Sequence, residues 1–331
     1  MATSQFTFYY SSDGSAPVID GLTGSLLNTL NKCLVTGYGS KVGCGWTKPF
    51  EDTGSVGCFM QGAALTASVN NAVLHVMDNG PGAGVGRDAR LTGWDTITEI
   101  LNGNATGSNQ WPTATQLAIG NGAIVARKST AASAVTRNWI VAADSRSVYM
   151  FVQSEGTALY YAWTFGDIYS YKSEEQGPDS YPQVIIGKIT ENSATVASER
   201  LDQQNQIDTV ITGHFGSRTF SGLGPSITLT KAGDLGKAGG ATAVLLGTVT
   251  FPNGPDGSTY LSRVWVGQNV DSVLRGHMRG FWHWCHPIAA VSDLAPFSGS
   301  GTLAGRTFLP IKSSANAGVY IMETSNTIET R

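Results

Sequence analysis

The chain has 331 residues, a formal net charge of −3 and only 14% charged residues. That length allows one large or two ordinary domains around a sizeable core. So sparse and balanced a charge excludes a nucleic-acid groove or an anionic-membrane surface, both of which need clustered Lys and Arg, and no run approaches the roughly 18 apolar residues of a membrane-spanning helix.

Taken in chain order, QFTFYY (5–10) reads as a first strand, and the residues around it have neither the basic start nor the apolar run of a secretion signal. Leu22, Leu26, Leu30 and Leu34 then recur every four residues, with Leu27 and Cys33 beside them. This spacing predicts an amphipathic helix over 22–36, closed by Gly37 in a left-handed cap and packed on a sheet. Residues 45–62 are turn-rich, and the strand 72–77 runs into the glycine loop DNGPGAGVGR (78–87). WDTITEIL (94–101) fits a short helix or a strand.

NWIVAAD and VYMFVQS, joined by SRS, predict a hairpin over 138–154; LYYAWTF (159–165) adds a third strand to form a meander, and YPQVIIGKI (181–189) is a further strand. The polar, aperiodic stretch 191–206 reads as a linker or long surface loop. It would separate a β-rich N-terminal domain (1–190) from an antiparallel β domain (207–331). In the second part strands alternate with turns through DTVITGHFG, SITLTKAG, ATAVLLGTVTF, TYLSRVWVG and RGFWHWCHP, and RTFLPIK and GVYIMET flank SSANA as a closing hairpin. The 41 glycines, spread without a Gly-X-Y period, match many tight turns between strands. The expected fold is mainly β, a β-rich α+β protein of antiparallel sheets or a sandwich, with one amphipathic helix near the N-terminus.

RGFWHWCHP (279–287) carries the densest chemistry. As a strand it would send Phe281, His283 and Cys285 to one face and Trp282, Trp284 and His286 to the other. His283 and Cys285 are the candidate metal ligands, but a zinc site needs three or four, and no other His or Cys stands at ligand spacing. The favoured reading is an aromatic strand packed in a core or at a subunit interface, with Trp282 and Trp284 acting through burial. Tyr161, Trp163 and Phe165 alternate along another strand, either as the inner face of a sheet or as an exposed stripe able to stack on sugars. The glycine loop at 78–87 and GDLGKAGG (233–240) fit neither GxGxxG nor the Walker pattern, and no GxSxG elbow or HExxH is present. No catalytic residue, cofactor-binding residue or metal site is assigned. The four cysteines Cys33, Cys44, Cys58 and Cys285, none in a CxxC, are expected to be reduced thiols in a cytoplasm.

The segments GWTKPFEDTG (45–54), DNGPGAG (78–84), WPTATQL (111–117) with ARKST (126–130), RNWIVAADSRSVYMFVQ (137–153) and RGFWHWCHP…FSGSGTLAGRTFLPIK (279–312) occur in this order. In that arrangement the chain resembles proteins encoded among the structural genes of tailed bacteriophages. The likeness covers most of the chain and rests on glycine and aromatic strand-and-turn signatures. It implies a non-enzymatic virion component, assembled in the host cytoplasm and associated with the tail: a neck or collar, baseplate, tip or fibre-anchoring protein. The implied partners are other virion proteins and further copies of the chain in a ring or trimer, with no nucleic acid and no membrane. A head decoration protein is the alternative within that context, and a carbohydrate- or receptor-binding module the alternative outside it.

Overall fold

A computed structural model of the chain describes residues 2–64, 69–78, 87–114, 124–154, 160–173, 175, 177–188, 212–219, 222, 230–233, 252, 257–268, 273–312 and 319–330. Its strands begin with β1 (Ala2–Ser4), β2 (Thr7–Tyr10), β3 (Thr47–Asp52), β4 (Val56–Met60), β5 (Val73–Met77), β6 (Asp88–Leu101) and β7 (Asn104–Trp111). They continue with β8 (Ile124–Arg127), β9 (Trp139–Ala143), β10 (Ser147–Val152), β11 (Tyr161–Ser170), β12 (Gln183–Lys188), β13 (Thr212–Gly216) and β14 (Thr230–Gly233). The last are β15 (Leu261–Gln268), β16 (Val273–Trp284), β17 (Phe297–Ser298), β18 (Thr307–Lys312), β19 (Val319–Glu323) and β20 (Ile328–Thr330). A short helix, α1 (Ser25–Leu30), runs directly into a π-helical turn, Asn31–Thr36. The described residues are mainly antiparallel strand, with a short helical segment near the N-terminus, as the sequence pattern predicts.

The first sheet has the order β2-β9-β10-β11-β12-β13, and Val125 of β8 opposite Lys188 links it to β6, β5, β4 and β3, with β7 beside the outer half of β6. The second has the order β14-β15-β16-β19-β18-β17. They share β11: Tyr161–Gly166 pair with β10, and Ile168–Ser170 lie opposite Met278–Gly276 of β16. At this seam a Cβ on Gly276 would stand 2.0 Å from the Tyr169 carbonyl oxygen, so only glycine lets the strands meet.

The meander β9-β10-β11 is buried on both faces, and its side chains alternate between two cores. Trp139, Val141, Val148, Met150, Tyr161, Trp163 and Phe165 join Leu26, Leu27, Leu30, Cys33 and Leu34 of the helical segment in one. Ile140, Ala142, Tyr149, Phe151 and Ala162 join Phe6, Phe281, Tyr320 and Ile328 in the other, between the sheets. The order is therefore helix, first sheet, second sheet. Residues 191–206 lie outside the described residues. The segments on either side of them share the second core and the β11–β16 and β1–β20 pairings.

The structure departs from the sequence pattern in the helix and in the stretch 45–62, and it decides the reading left open at 94–101. The helix starts at Ser25 rather than residue 22, and Leu22 is exposed. The Asp20 carboxylate accepts the Leu22 N–H at 2.9 Å and Gly24 has a φ of +84°, so the chain is still turning there. Gly37 does end the helical segment and its N–H donates to Lys32 O, but with φ 77° and ψ 175° it is not the expected left-handed cap. The turn-rich stretch 45–62 contains the hairpin β3–β4, which reverses through Thr53 and Gly54, both at positive φ. WDTITEIL is strand, the outer part of β6. It returns into β7 through Asn102 and Gly103, whose φ values of 51° and 77° suit a two-residue hairpin turn.

Among the described residues no helix is long and apolar enough to cross a membrane.

Candidate functional site

RGFWHWCHP forms the end of β16 and the turn after it, and its side chains alternate as the strand reading requires. Phe281 enters the inter-sheet core and stacks on Tyr149 at 5.5 Å. Trp282 and Trp284 lie on the opposite face in a smaller cluster with Phe308, Val319 and Ile321. Both tryptophans are buried within this chain. His283 is buried between Ser262 of β15 and Tyr320 of β19, and Cys285 Sγ approaches the His283 carbonyl at 3.7 Å. Among the described residues no three His, Cys, Asp or Glu side chains gather to hold a metal ion, and the four cysteines form no disulfide.

Tyr161, Trp163 and Phe165 are buried under the helical segment. Phe165 stacks on Trp111 at 5.4 Å, and the Tyr161 hydroxyl donates to Val125 O at 2.6 Å. This corrects the exposed-stripe alternative: the three rings face the core and offer no surface to a sugar.

A cavity of about 510 Å³ opens beside the aromatic strand, within the range of small-molecule sites. Its walls are 258–261, Arg263 and Trp282 on one side and 300–303 with Arg306 on the other. Three long-range features build it. The Thr259 N–H donates to Ser300 Oγ at 2.8 Å, tying the approach to β15 to the loop before β18. His286 Nε2 accepts the Tyr260 N–H at 2.7 Å, so the last histidine of RGFWHWCHP fixes the backbone of an exposed tyrosine at the rim. Arg263 and Arg306 flank the Trp282 ring, 4.0 and 5.1 Å from its centroid.

Each guanidinium is held by a carboxylate. Arg306 Nε and Nη2 donate to the two oxygens of the fully buried Glu323, both at 2.8 Å, and Arg263 Nη2 donates to both oxygens of Glu329 at 3.0 Å. Trp282 Nε1 also donates to Glu323, at 3.3 Å. The sequence carries no local sign of this arrangement, because the residues involved come from β15, β16, β19, β20 and the 300–306 loop.

Behind the cavity wall stands a second titratable group. Tyr171 Oη lies 2.8 Å from His277 Nδ1, and His277 Nε2 lies 3.6 Å from Glu329, too far for a hydrogen bond. Burial pulls His277 down to about 3, helped by Arg263 and Arg306, while burial pushes the Tyr171 hydroxyl up. The imidazole is thus neutral and the phenol protonated near neutral pH, the reverse of an activated nucleophile. On β5, burial also pulls His75 down to about 4.

These two histidines set an acid response. Both have folded values below the ordinary 6.5, so the unfolded chain takes up protons that the folded chain refuses as the pH drops. Stability is expected to be intact above pH 6.5 and to fall progressively toward pH 4. Asp78, raised by burial to about 6, opposes the trend below that pH. Urea midpoints measured across this range test the sign. His75→Gln should remove a share on the order of 3 kcal/mol near pH 4, and an unchanged slope in that variant would count against the neutral buried imidazole.

No protein-family model matches the chain, and no curated protein is significantly similar to it.

Proposed function

We propose that this chain is a non-enzymatic structural component of a tailed-phage virion, associated with the tail and acting by packing against copies of itself and neighbouring virion proteins. The observation that carries this reading is the placement of its charges. Asp78–Lys128, Asp88–Arg127, Asp144–Arg279, Asp167–Arg146, Asp179–Arg275 and Glu323–Arg306 pair with one another inside the fold. These six pairs take twelve of only 21 basic and 24 acidic residues.

Several of the pairs join distant parts of the chain. Arg279 of β16 reaches Asp144 in the β9–β10 turn at 2.6 Å, and Arg275 reaches Asp179 at 3.3 Å. These charges are withdrawn from the surface, and depletion of charge is the composition favoured at the centre of a subunit interface. The resemblance of the ordered glycine and aromatic segments to those of phage structural proteins points to the same context.

The test is the copy number of the protein in purified particles of the encoding phage, by quantitative mass spectrometry against the major capsid protein. A small multiple of three or six is the expected result for a tail or neck position. Copies in the hundreds would move the protein to head decoration, and its absence from particles would overturn the proposal.

A further inference from the structure

We propose that the cavity between Tyr260, Trp282 and the 300–306 loop is a carbohydrate subsite that takes a polyhydroxylated, uncharged sugar unit. The guanidiniums of Arg263 and Arg306 turn part of their donor set toward Glu329 and Glu323. Nη1 of Arg306, and Nε and Nη1 of Arg263, take no part in those pairs, and both side chains line the cavity. Two cations held by two carboxylates give directed N–H donors with no net charge. That combination fits ligand hydroxyls, which need oriented donors, better than phosphate or sulfate, which need uncompensated positive charge.

Thr302, an exposed residue of the lining, adds a hydroxyl. Trp282 is buried with both guanidiniums over its ring, so stacking falls to Tyr260. Its ring is 40% exposed at the rim, and its backbone is fixed by His286. An aromatic face at the mouth with oriented polar groups behind it matches the two surfaces of a pyranose, one of C–H bonds and one of hydroxyls. The site stands apart from the virion reading and holds or fails independently of it.

The test is saturation-transfer-difference NMR on the full chain with D-glucose, D-galactose, L-rhamnose and N-acetyl-D-glucosamine, and with inorganic phosphate followed by 31P line broadening. The expected result is saturation of the ring protons of at least one sugar. Binding should weaken by about tenfold or more in Arg306→Lys, which keeps the charge and loses the fork, and in Tyr260→Ala, whose exposed ring can go without unfolding the chain. Thermal melting of Tyr260→Ala should match the parent and so separates lost binding from lost fold. No saturation on any of the four sugars overturns the proposal. So does sugar binding unchanged in both variants, or phosphate binding that competes with the sugar.

Discussion

Asp78→Asn is expected to destabilise the protein by about 3–5 kcal/mol, although the side chain barely changes in size. Asp78 and Lys128 are both fully buried, and the Lys128 ammonium sits against Asp78 Oδ1. The other oxygen accepts the N–H groups of Leu26 and Leu27 at 2.7 and 3.2 Å, at the start of α1. A carboxylate from the end of β5 thus does the capping that the helix lacks locally, since Gly24 offers no side chain. Asparagine would retain an acceptor for those amides but would leave the ammonium in the interior without its counter-charge.

The partner substitution provides the control. In an Asp78→Asn, Lys128→Met double variant the stranded charge is gone, and stability should recover relative to the sum of the single losses by more than about 1 kcal/mol. Urea denaturation of the four proteins completes the cycle. Simple additivity would show that the two side chains do not act as a pair.

Trp163→Ala is expected to cost about 3–5 kcal/mol, the usual penalty for emptying an aromatic site in a packed interior. Trp163 is fully buried on β11, opposite Met150 of β10, in the core beneath the helical segment. Its Nε1 is buried without a hydrogen-bond partner, so Trp163→Phe forfeits volume but no polar contact and should retain most of the stability. Denaturant midpoints of the three proteins decide the matter. Equal losses for Ala and Phe would show that shape filling is not what the indole contributes, and a loss below about 0.5 kcal/mol for Ala would return the ring to the surface.

Much of the first sheet was legible because its information is local. The Trp139–Val152 hairpin and the strand after it follow from short apolar runs broken by a three-residue turn. β18 and β19 pair as their sequences suggest, with the SSANA residues between them outside the described part. The role of Tyr161, Trp163 and Phe165 stayed open because a strand buried on both faces gives the same spacing whether its aromatics meet a core or a ligand. Only the helical segment above them decides it.

The β6–β7 hairpin had a usable local sign, Asn102-Gly103, the dipeptide suited to a two-residue turn. The polar, exposed composition of β7 hid the strand that follows it. The cavity was not legible at all. Arg263, Trp282 and Arg306 are ordinary strand and loop residues until β15, β16 and β19 bring them together, and pairing between distant segments leaves no periodic trace in the chain.

The strand shared by the two sheets limits how this protein can change over evolutionary time. Side chains along a strand alternate faces, so inserting or deleting one residue reverses every position beyond it. In most strands such a slip can be absorbed at a free end. In β11 the first part is locked to β10 and the last part to β16. A length change between Gly166 and Ile168 would therefore turn one sheet's contacts inside out while the other stayed in register. Lineages carrying this fold should vary in loop length and surface composition, and keep β11 at constant length.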